Sequence, residues 1–285
     1  MTKPAILVGL IGSGIQGSLT PAMHEQEGEA QGFRLVYRKI DLDRLGLGPD
    51  ALPELLTAAE RMGFDGVNVT HPCKQRVIPH LRDLSADARA LGAVNTVVLK
   101  GGARRGENTD WWGFAEAFRR NMAGAPVGRV VQLGAGGAGA AVAHALLTLG
   151  VGRLAVQDVD AARAAGLAAD LCARFGEGRA AACADLMGEV AEADGLVNCT
   201  PIGMAAHPGM PLPATALHAR LWVADIIYFP METELLRAAR ALGCRTMNGG
   251  GMAVFQAVEA FRLFTGTAPD AARMQRHFAD IAGRP

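Results

Sequence analysis

The sequence lacks the marks of several large classes of protein. No apolar run in its 285 residues approaches the roughly 18 that a membrane span needs. Neither sign of charge is in excess: 28 Lys and Arg face 28 Asp and Glu, which removes the basic surface of a nucleic-acid or membrane-surface binder. The five cysteines (Cys73, Cys172, Cys183, Cys199 and Cys244) are scattered and never spaced C-x-x-C. That argues against a disulfide framework or a zinc site and for a reducing cytoplasm. The seven histidines show no H-E-x-x-H or comparable ligand spacing, so no metal is expected. There is no internal repeat and no low-complexity tract. The apolar stretch Ala5 to Ile11 is too short for a signal peptide and runs into a glycine loop without a cleavage-type ending, so it reads as a buried strand.

What the chain does have is a hydrophobic half and a length comfortable for two domains. After the first strand the pattern predicts a helix over Pro21 to Gln31, a strand over Arg34 to Ile40, a helix over Pro53 to Met62 and a strand over Gly66 to Val69. A helix over Ala86 to Leu91, a strand over Val94 to Leu99 and a polar turn over Gly101 to Gly106 follow. Alternation of strand and helix implies a mostly parallel sheet covered on both faces. After an amphipathic helix over Trp111 to Arg120 and a Gly/Ala/Pro-rich linker, a second alternating series begins at Arg129. It reads as a doubly wound domain, and two helices close the chain over Met252 to Phe264 and Pro269 to Ile281. The expected division is residues 1–107 with 250–285 as one α/β domain and 108–249 as a Rossmann domain.

The short strand Arg129 to Leu133 runs into Gly134-Ala-Gly-Gly-Ala-Gly139 and then an alanine-rich helix. In that context G-x-G-x-x-G reads as a dinucleotide turn, with a purely structural βαβ turn as the alternative: Gly134 allows the bend, Gly136 lets backbone approach pyrophosphate, and Gly139 lets helix and strand pack closely. The backbone of Ala135 and Gly137 belongs to the same cradle, with N–H groups at the helix start facing phosphate. The next strand ends at Asp158, where an acidic residue hydrogen-bonds the adenosine ribose of NAD and disfavours the extra phosphate of NADP. Asp160 competes with Asp158 for that role or simply caps the next helix, and Arg163 is either a phosphate partner or a solvated charge.

A dehydrogenase also needs a group to accept the alcohol proton. Lys74, just beyond a strand end, and Asp110, in Glu107-Asn-Thr-Asp, are the candidate pair. Taken alone, each has a duller reading, as a surface charge and as a helix cap.

Seven motifs in order carry a family resemblance: Ser18-Leu-Thr-Pro-Ala-Met-His24, Asn68-Val-Thr-His-Pro-Cys-Lys74, Gly92-Ala-Val-Asn-Thr96, Asn108-Thr-Asp110, Gly134 to Gly139, Asn198-Cys-Thr-Pro-Ile-Gly-Met204 and Gly251-Met-Ala-Val-Phe-Gln256. From Ile6 to Phe264 the chain resembles the shikimate dehydrogenases, and most closely the NAD-dependent bacterial quinate/shikimate dehydrogenases. The resemblance implies that Ser18 and Thr20, helped by Tyr228, hold a substrate carboxylate. It implies that Thr70, Asn95, Asp110 and Gln256 read ring hydroxyls, and that Lys74 is the acid/base. Thr200 and Gly203 would lie along the nicotinamide, with Gly251 close to it. Duller readings stand beside these: Ser18 and Thr20 also suit a helix start, and Asn95 could satisfy buried backbone. Gln256, inside an apolar run, needs a partner in any case.

Two departures bear on the cofactor and the substrate. NADP-using members typically show Asn-Arg-Thr where this chain has Gln157-Asp-Val-Asp160, so NAD is favoured over NADP. Gly249-Gly-Gly251 is expected to leave room for the additional hydroxyl of quinate. The expected activity is reversible, NAD-dependent oxidation of quinate and shikimate by a cytoplasmic monomer or homodimer. The alternatives are an NADP-linked biosynthetic enzyme, a homologue acting on an amino analogue, and a non-catalytic ligand sensor.

Overall fold

The computed structural model describes residues 3–282. The chain divides into two compact units, Met1–Gly113 with Val254–Pro285 and Phe114–Ala253. The expected outer limits at residues 1 and 285 lie outside the described residues.

The first unit carries the strands β1 (Ala5–Gly12), β2 (Arg34–Asp41), β3 (Gly66–Val69), β4 (Asp83–Leu84), β5 (Thr96–Val98) and β6 (Arg105–Glu107). Its helices are α1 (Thr20–Ala30), α2 (Leu42–Leu45), α3 (Leu52–Arg61) and α4 (Ala86–Leu91). The sheet order is β2-β1-β3-β5-β6-β4. β1 pairs in parallel with both β2 and β3, and its near-continuous apolar sequence suits a strand covered on both faces. On one face Val8, Leu10 and Tyr37 pack with Phe261 and Phe264; on the other, Ile11, Val67 and Val69 pack with Leu52, Leu56 and Ala59.

The sheet is less parallel than its strand–helix alternation implies: β5 runs antiparallel to both β3 and β6. β6 also replaces part of the expected turn over Gly101 to Gly106. Its polar residues hide a strand whose buried Gly106 leaves no room for a Cβ, which would meet the Leu81 side chain at 2.5 Å.

The second unit carries β7 (Arg129–Leu133), β8 (Arg153–Gln157), β9 (Ala180–Ala182), β10 (Gly195–Asn198), β11 (Trp222–Asp225) and β12 (Arg245–Met247). All pairs are parallel in the order β12-β11-β10-β7-β8-β9, the doubly wound dinucleotide topology, with its switch point between β7 and β10. Helix α5 (Asp110–Asn121) enters this unit, and α6 (Gly137–Thr148), α7 (Ala161–Phe175), α8 (Leu186–Ala191) and α9 (Glu234–Ala241) alternate with the strands. Helix α10 (Gly250–Thr265) leads back to the first unit, which α11 (Ala271–Ala282) closes. Both unit boundaries fall inside continuous helices, α5 and α10, so no loop marks them.

Among the described residues no helix is long and apolar enough to cross a membrane, and no group of three or more His, Cys, Asp or Glu could hold a metal ion. All five cysteines are free thiols.

Candidate active site

Lys74 is aimed by its backbone. Beyond β3 the chain turns with the Cys73 N–H on the Thr70 carbonyl (2.7 Å), the Cys73 side chain is fully buried, and the Lys74 carbonyl accepts the Val94 N–H at 2.9 Å. From that base the ammonium reaches Asp110, with Nζ 2.6 Å from Oδ2. The two side chains are 24% and 12% exposed, so the pair is largely shielded yet still reachable. The other oxygen, Oδ1, accepts a hydrogen bond from the Asn95 amide at 2.9 Å. Capping of α5 falls to Asn108, whose side-chain oxygen accepts the Asp110 N–H at 3.1 Å, and this leaves the Asp110 carboxylate to Lys74 and Asn95. A shielded lysine held on a carboxylate is set apart from a solvated surface bridge.

Lys74, Asn95 and Asp110 are thus brought together. Thr70 lies at the end of β3 beside Gly12, where an added Cβ would meet its methyl at 2.4 Å. Ser18 and Thr20 sit together at the start of α1, with Ser18 Oγ accepting the Thr20 N–H, the first of that helix, at 3.4 Å. Gln256 is half-buried on α10 in the same unit. Tyr228 belongs to the second unit, after β11, where burial pushes its phenol pKa up.

The glycine turn of the second unit is shaped by three different demands. Gly134 has φ +96°, a conformation that disfavours a side chain, and a Cβ there would meet the Cys199 carbonyl oxygen at 2.8 Å. A Cβ on Gly139 would strike the Gly134 carbonyl oxygen at 2.3 Å. At Gly136 and Gly137 a Cβ would meet nothing within 4 Å, and α6 begins without a side-chain cap. An open approach to uncapped helix N–H groups fits a pyrophosphate.

Asp158 and Asp160 separate cleanly. Asp160 caps α7, accepting the N–H groups of Ala162 and Arg163. Asp158 instead closes the glycine turn: its Oδ2 accepts the Ala135 N–H at 2.7 Å and its Oδ1 the Asp160 N–H at 2.9 Å. Burial raises its pKa, but those two donors and the nearby Arg163 charge outweigh burial and hold the carboxyl below its ordinary value. Arg163, half-exposed, stands 3.7 Å from Asp158 and 3.5 Å from Asp160.

The glycines at 249–251 do not leave the room expected of them. A Cβ on Gly249 would fall 2.0 Å from the Ile226 carbonyl oxygen, and one on Gly251 would fall 2.9 Å from the Ala117 methyl. The chain's own atoms fill the space beside both, so close packing explains these glycines and the reading of a pocket for an extra hydroxyl is withdrawn.

Several residues that shape the site were given no role in the sequence reading. Gln132, fully buried on β7, donates to the carbonyls of both Gly134 and Gly139 at 2.9 Å. Asn198 accepts from the Thr200 N–H and hydroxyl and donates to the Ile202 carbonyl, which shapes the loop leading to Gly203. Asp225 supports Asn198 and accepts from Thr233; burial raises its pKa, only partly offset by its three donors. The signal was present in each case, as a polar residue inside an apolar strand that has to find a partner.

A doubly wound unit with a pyrophosphate turn, together with an α/β unit bearing a shielded lysine–aspartate pair, defines a nicotinamide-dependent dehydrogenase. Residues 10–97 match the model of the shikimate dehydrogenase substrate binding domain, and residues 249–277 that of the shikimate 5'-dehydrogenase C-terminal domain. The chain belongs to the shikimate dehydrogenase family. A shikimate dehydrogenase (NADP(+)) of Streptomyces avermitilis is 61% identical, the match covering 99% of this chain and 98% of that protein. A quinate/shikimate dehydrogenase (NAD(+)) of Corynebacterium efficiens is 49% identical, covering 99% and 100%. The solved quinate dehydrogenase of Corynebacterium glutamicum in complex with NAD superposes with a TM-score of 0.93 at 48% identity, covering 98% of this chain and 100% of that one. Fold, family and nicotinamide chemistry therefore agree with the sequence reading, while the relatives divide between the two dinucleotides.

Proposed function

We propose that this chain is a cytoplasmic enzyme that reversibly oxidises a ring hydroxyl of shikimate and of quinate, giving 3-dehydroshikimate and 3-dehydroquinate, with NAD as cofactor. The observation that carries the chemistry is the 2.6 Å contact between Lys74 and Asp110. Once Lys74 has given its own proton to solvent, the neutral Nζ accepts the proton of the ring hydroxyl as the carbonyl forms, and Asp110 holds the resulting ammonium. In the reverse direction the same ammonium returns the proton to the alkoxide oxygen. When bound, the nicotinamide supplies the hydride acceptor, so the hydroxyl carbon loses a hydride and the oxygen a proton.

Ser18 and Thr20 hold the substrate carboxylate, since each hydroxyl can donate one hydrogen bond to it. Thr70, Asn95 and Gln256 orient the ring hydroxyls. The backbone from Gly134 to Gly139 holds the pyrophosphate, and Thr200, Gly203 and Gly251 lie along the nicotinamide. Asp158 supports the choice of NAD, because a carboxylate kept ionised repels a ribose phosphate.

A second reading, NADP as cofactor, draws on Arg163. Its half-exposed guanidinium stands at the first turn of α7, and the 61% identical relative is named for NADP. Initial rates with shikimate and quinate, each against NAD and NADP, decide between them: faster turnover with NADP would end the NAD reading. Lys74→Ala is expected to lower kcat by about a hundred- to ten-thousandfold while substrate still binds. An unchanged kcat would remove Lys74 from the chemistry.

A further inference from the structure

Behind the lysine–aspartate pair lies a row of polar side chains that no apolar core requires. Tyr37, Asn68, Asn95, Thr96 and Thr109 are all at least nine-tenths buried. An apolar isostere would fill Tyr37 or Thr96 equally well, without the 1–3 kcal/mol penalty that a buried polar group carries if it loses its partner. Every one of them is nevertheless partnered: Thr109 and Asn95 bond each other both ways, and from Tyr37 a line of donors can be followed to Asp110. The Tyr37 hydroxyl donates to Asn68 Oδ1 at 2.7 Å. The Asn68 amide donates to Thr96 Oγ1 at 2.8 Å, across the β3–β5 pairing that sets the two residues opposite each other. The Thr96 hydroxyl donates to Asn95 Oδ1 at 3.1 Å, an oxygen that also takes the Thr109 N–H at 2.7 Å. With that oxygen engaged, the Asn95 amide must present its NH2 to Asp110, 2.9 Å away. The row ends where Asp110 meets Lys74.

We infer that Thr96 and Asn68, with Tyr37 at the far end, are positioning residues for the proton-transfer pair. Donors aligned in sequence polarise one another. Here the line ends on a single carboxylate oxygen through the Asn95 amide, which fixes the Asp110 plane so that its other oxygen faces Lys74. A rotated Asp110 would leave the ammonium off line with the substrate hydroxyl, slowing the chemical step more than binding. The inference rests on the proposed roles of Lys74 and Asp110 and adds to them residues that touch no reactant.

Thr96 offers the discriminating test, because two substitutions divide its hydroxyl from its volume. Thr96→Val keeps the shape and removes the hydroxyl; Thr96→Ser keeps the hydroxyl and removes a methyl. Steady-state oxidation of shikimate is measured for both, with Lys74→Ala alongside. Thr96→Val is expected to lower kcat roughly tenfold with KM within about twofold, and Thr96→Ser to stay within about twofold of the parent. A purely packing role predicts the reverse order, Ser worse than Val, and that order would overturn the inference. So would a parent-like kcat in Thr96→Val. If Lys74→Ala were also fully active, the acid/base reading itself would fall; if Lys74→Ala were inactive and Thr96→Val parent-like, only the positioning role would. Should Thr96→Val not fold, Tyr37→Phe takes its place, with an expected two- to threefold loss in kcat at parent KM, roughly. An unchanged kcat there would refute the row.

Discussion

Acid should destabilise this protein through one histidine in particular. His24 lies in the middle of α1, fully buried among Tyr37, Phe261 and Phe264, with ring centroids 5.0, 5.9 and 6.1 Å away. Neither ring nitrogen has a hydrogen-bond partner. Burial alone drives its pKa from 6.5 down to about 3. The unfolded chain therefore takes up a proton below pH 6.5 that the folded chain refuses until about pH 3. Within that window the unfolded state binds more protons, so stability rises with pH and is lost as pH falls. Each pH unit is worth about 1.4 kcal/mol, so the full window amounts to about 5 kcal/mol, of which about 2 kcal/mol is lost by pH 5.

Replacing His24 with leucine removes the titrating ring and its two unpartnered nitrogens. Urea unfolding of parent and His24→Leu, run side by side from pH 7.5 to 4.5, reads the difference directly. The stability gap in favour of the variant should widen by roughly 2 kcal/mol between pH 7 and pH 5. Carboxylates titrate equally in both proteins and cancel. Curves separated by a constant offset would show that folding does not hold His24 neutral, and the reasoning would fail.

Elsewhere in the first unit, Glu27 is 1% exposed and accepts Nε and Nη2 of Arg273, each at 2.7 Å, tying α1 to the start of α11. Glu27→Ala strands a partly buried arginine and should cost about 3 kcal/mol in urea unfolding, the low end for a broken buried pair because Arg273 retains some solvent. In the second unit, Gln132→Leu deprives the Gly134 and Gly139 carbonyls of their shared donor. The KM for the dinucleotide should rise about tenfold while the KM for shikimate stays near the parent value. Equal shifts in both would instead mean general damage.

The architecture was legible because long elements repeat their pattern often enough to be read. β1, α3 and β7 fall within a residue or two of expectation. β4, β6, β9 and β12 are two or three residues long, too short for any period, and neighbouring strands impose them. At the site, residues carried by motifs stood out, and geometry then settled what spacing left open: Asn108 rather than Asp110 caps α5, and Asp160 rather than Asp158 caps α7. What could not be read was the polar row. Asn68 and Thr96 meet only because β5 turns antiparallel to β3, and Tyr37 reaches Asn68 from two strands away. The triple glycine misled for a related reason, since a missing side chain looks the same whether backbone or ligand occupies the space.

Asp158 carries a consequence for how this enzyme can change. Its carboxylate fastens the Ala135 N–H, so whatever else it recognises, it is also a clasp on the glycine turn. A lineage drifting from one dinucleotide to the other could not simply discard it without loosening the cradle that both dinucleotides share. Arg163, half-exposed and bound only through long ionic contacts, is under no such obligation. Adaptation at this corner is therefore lopsided: one residue is tied into the turn, and the neighbour five positions along is held only by long ionic contacts.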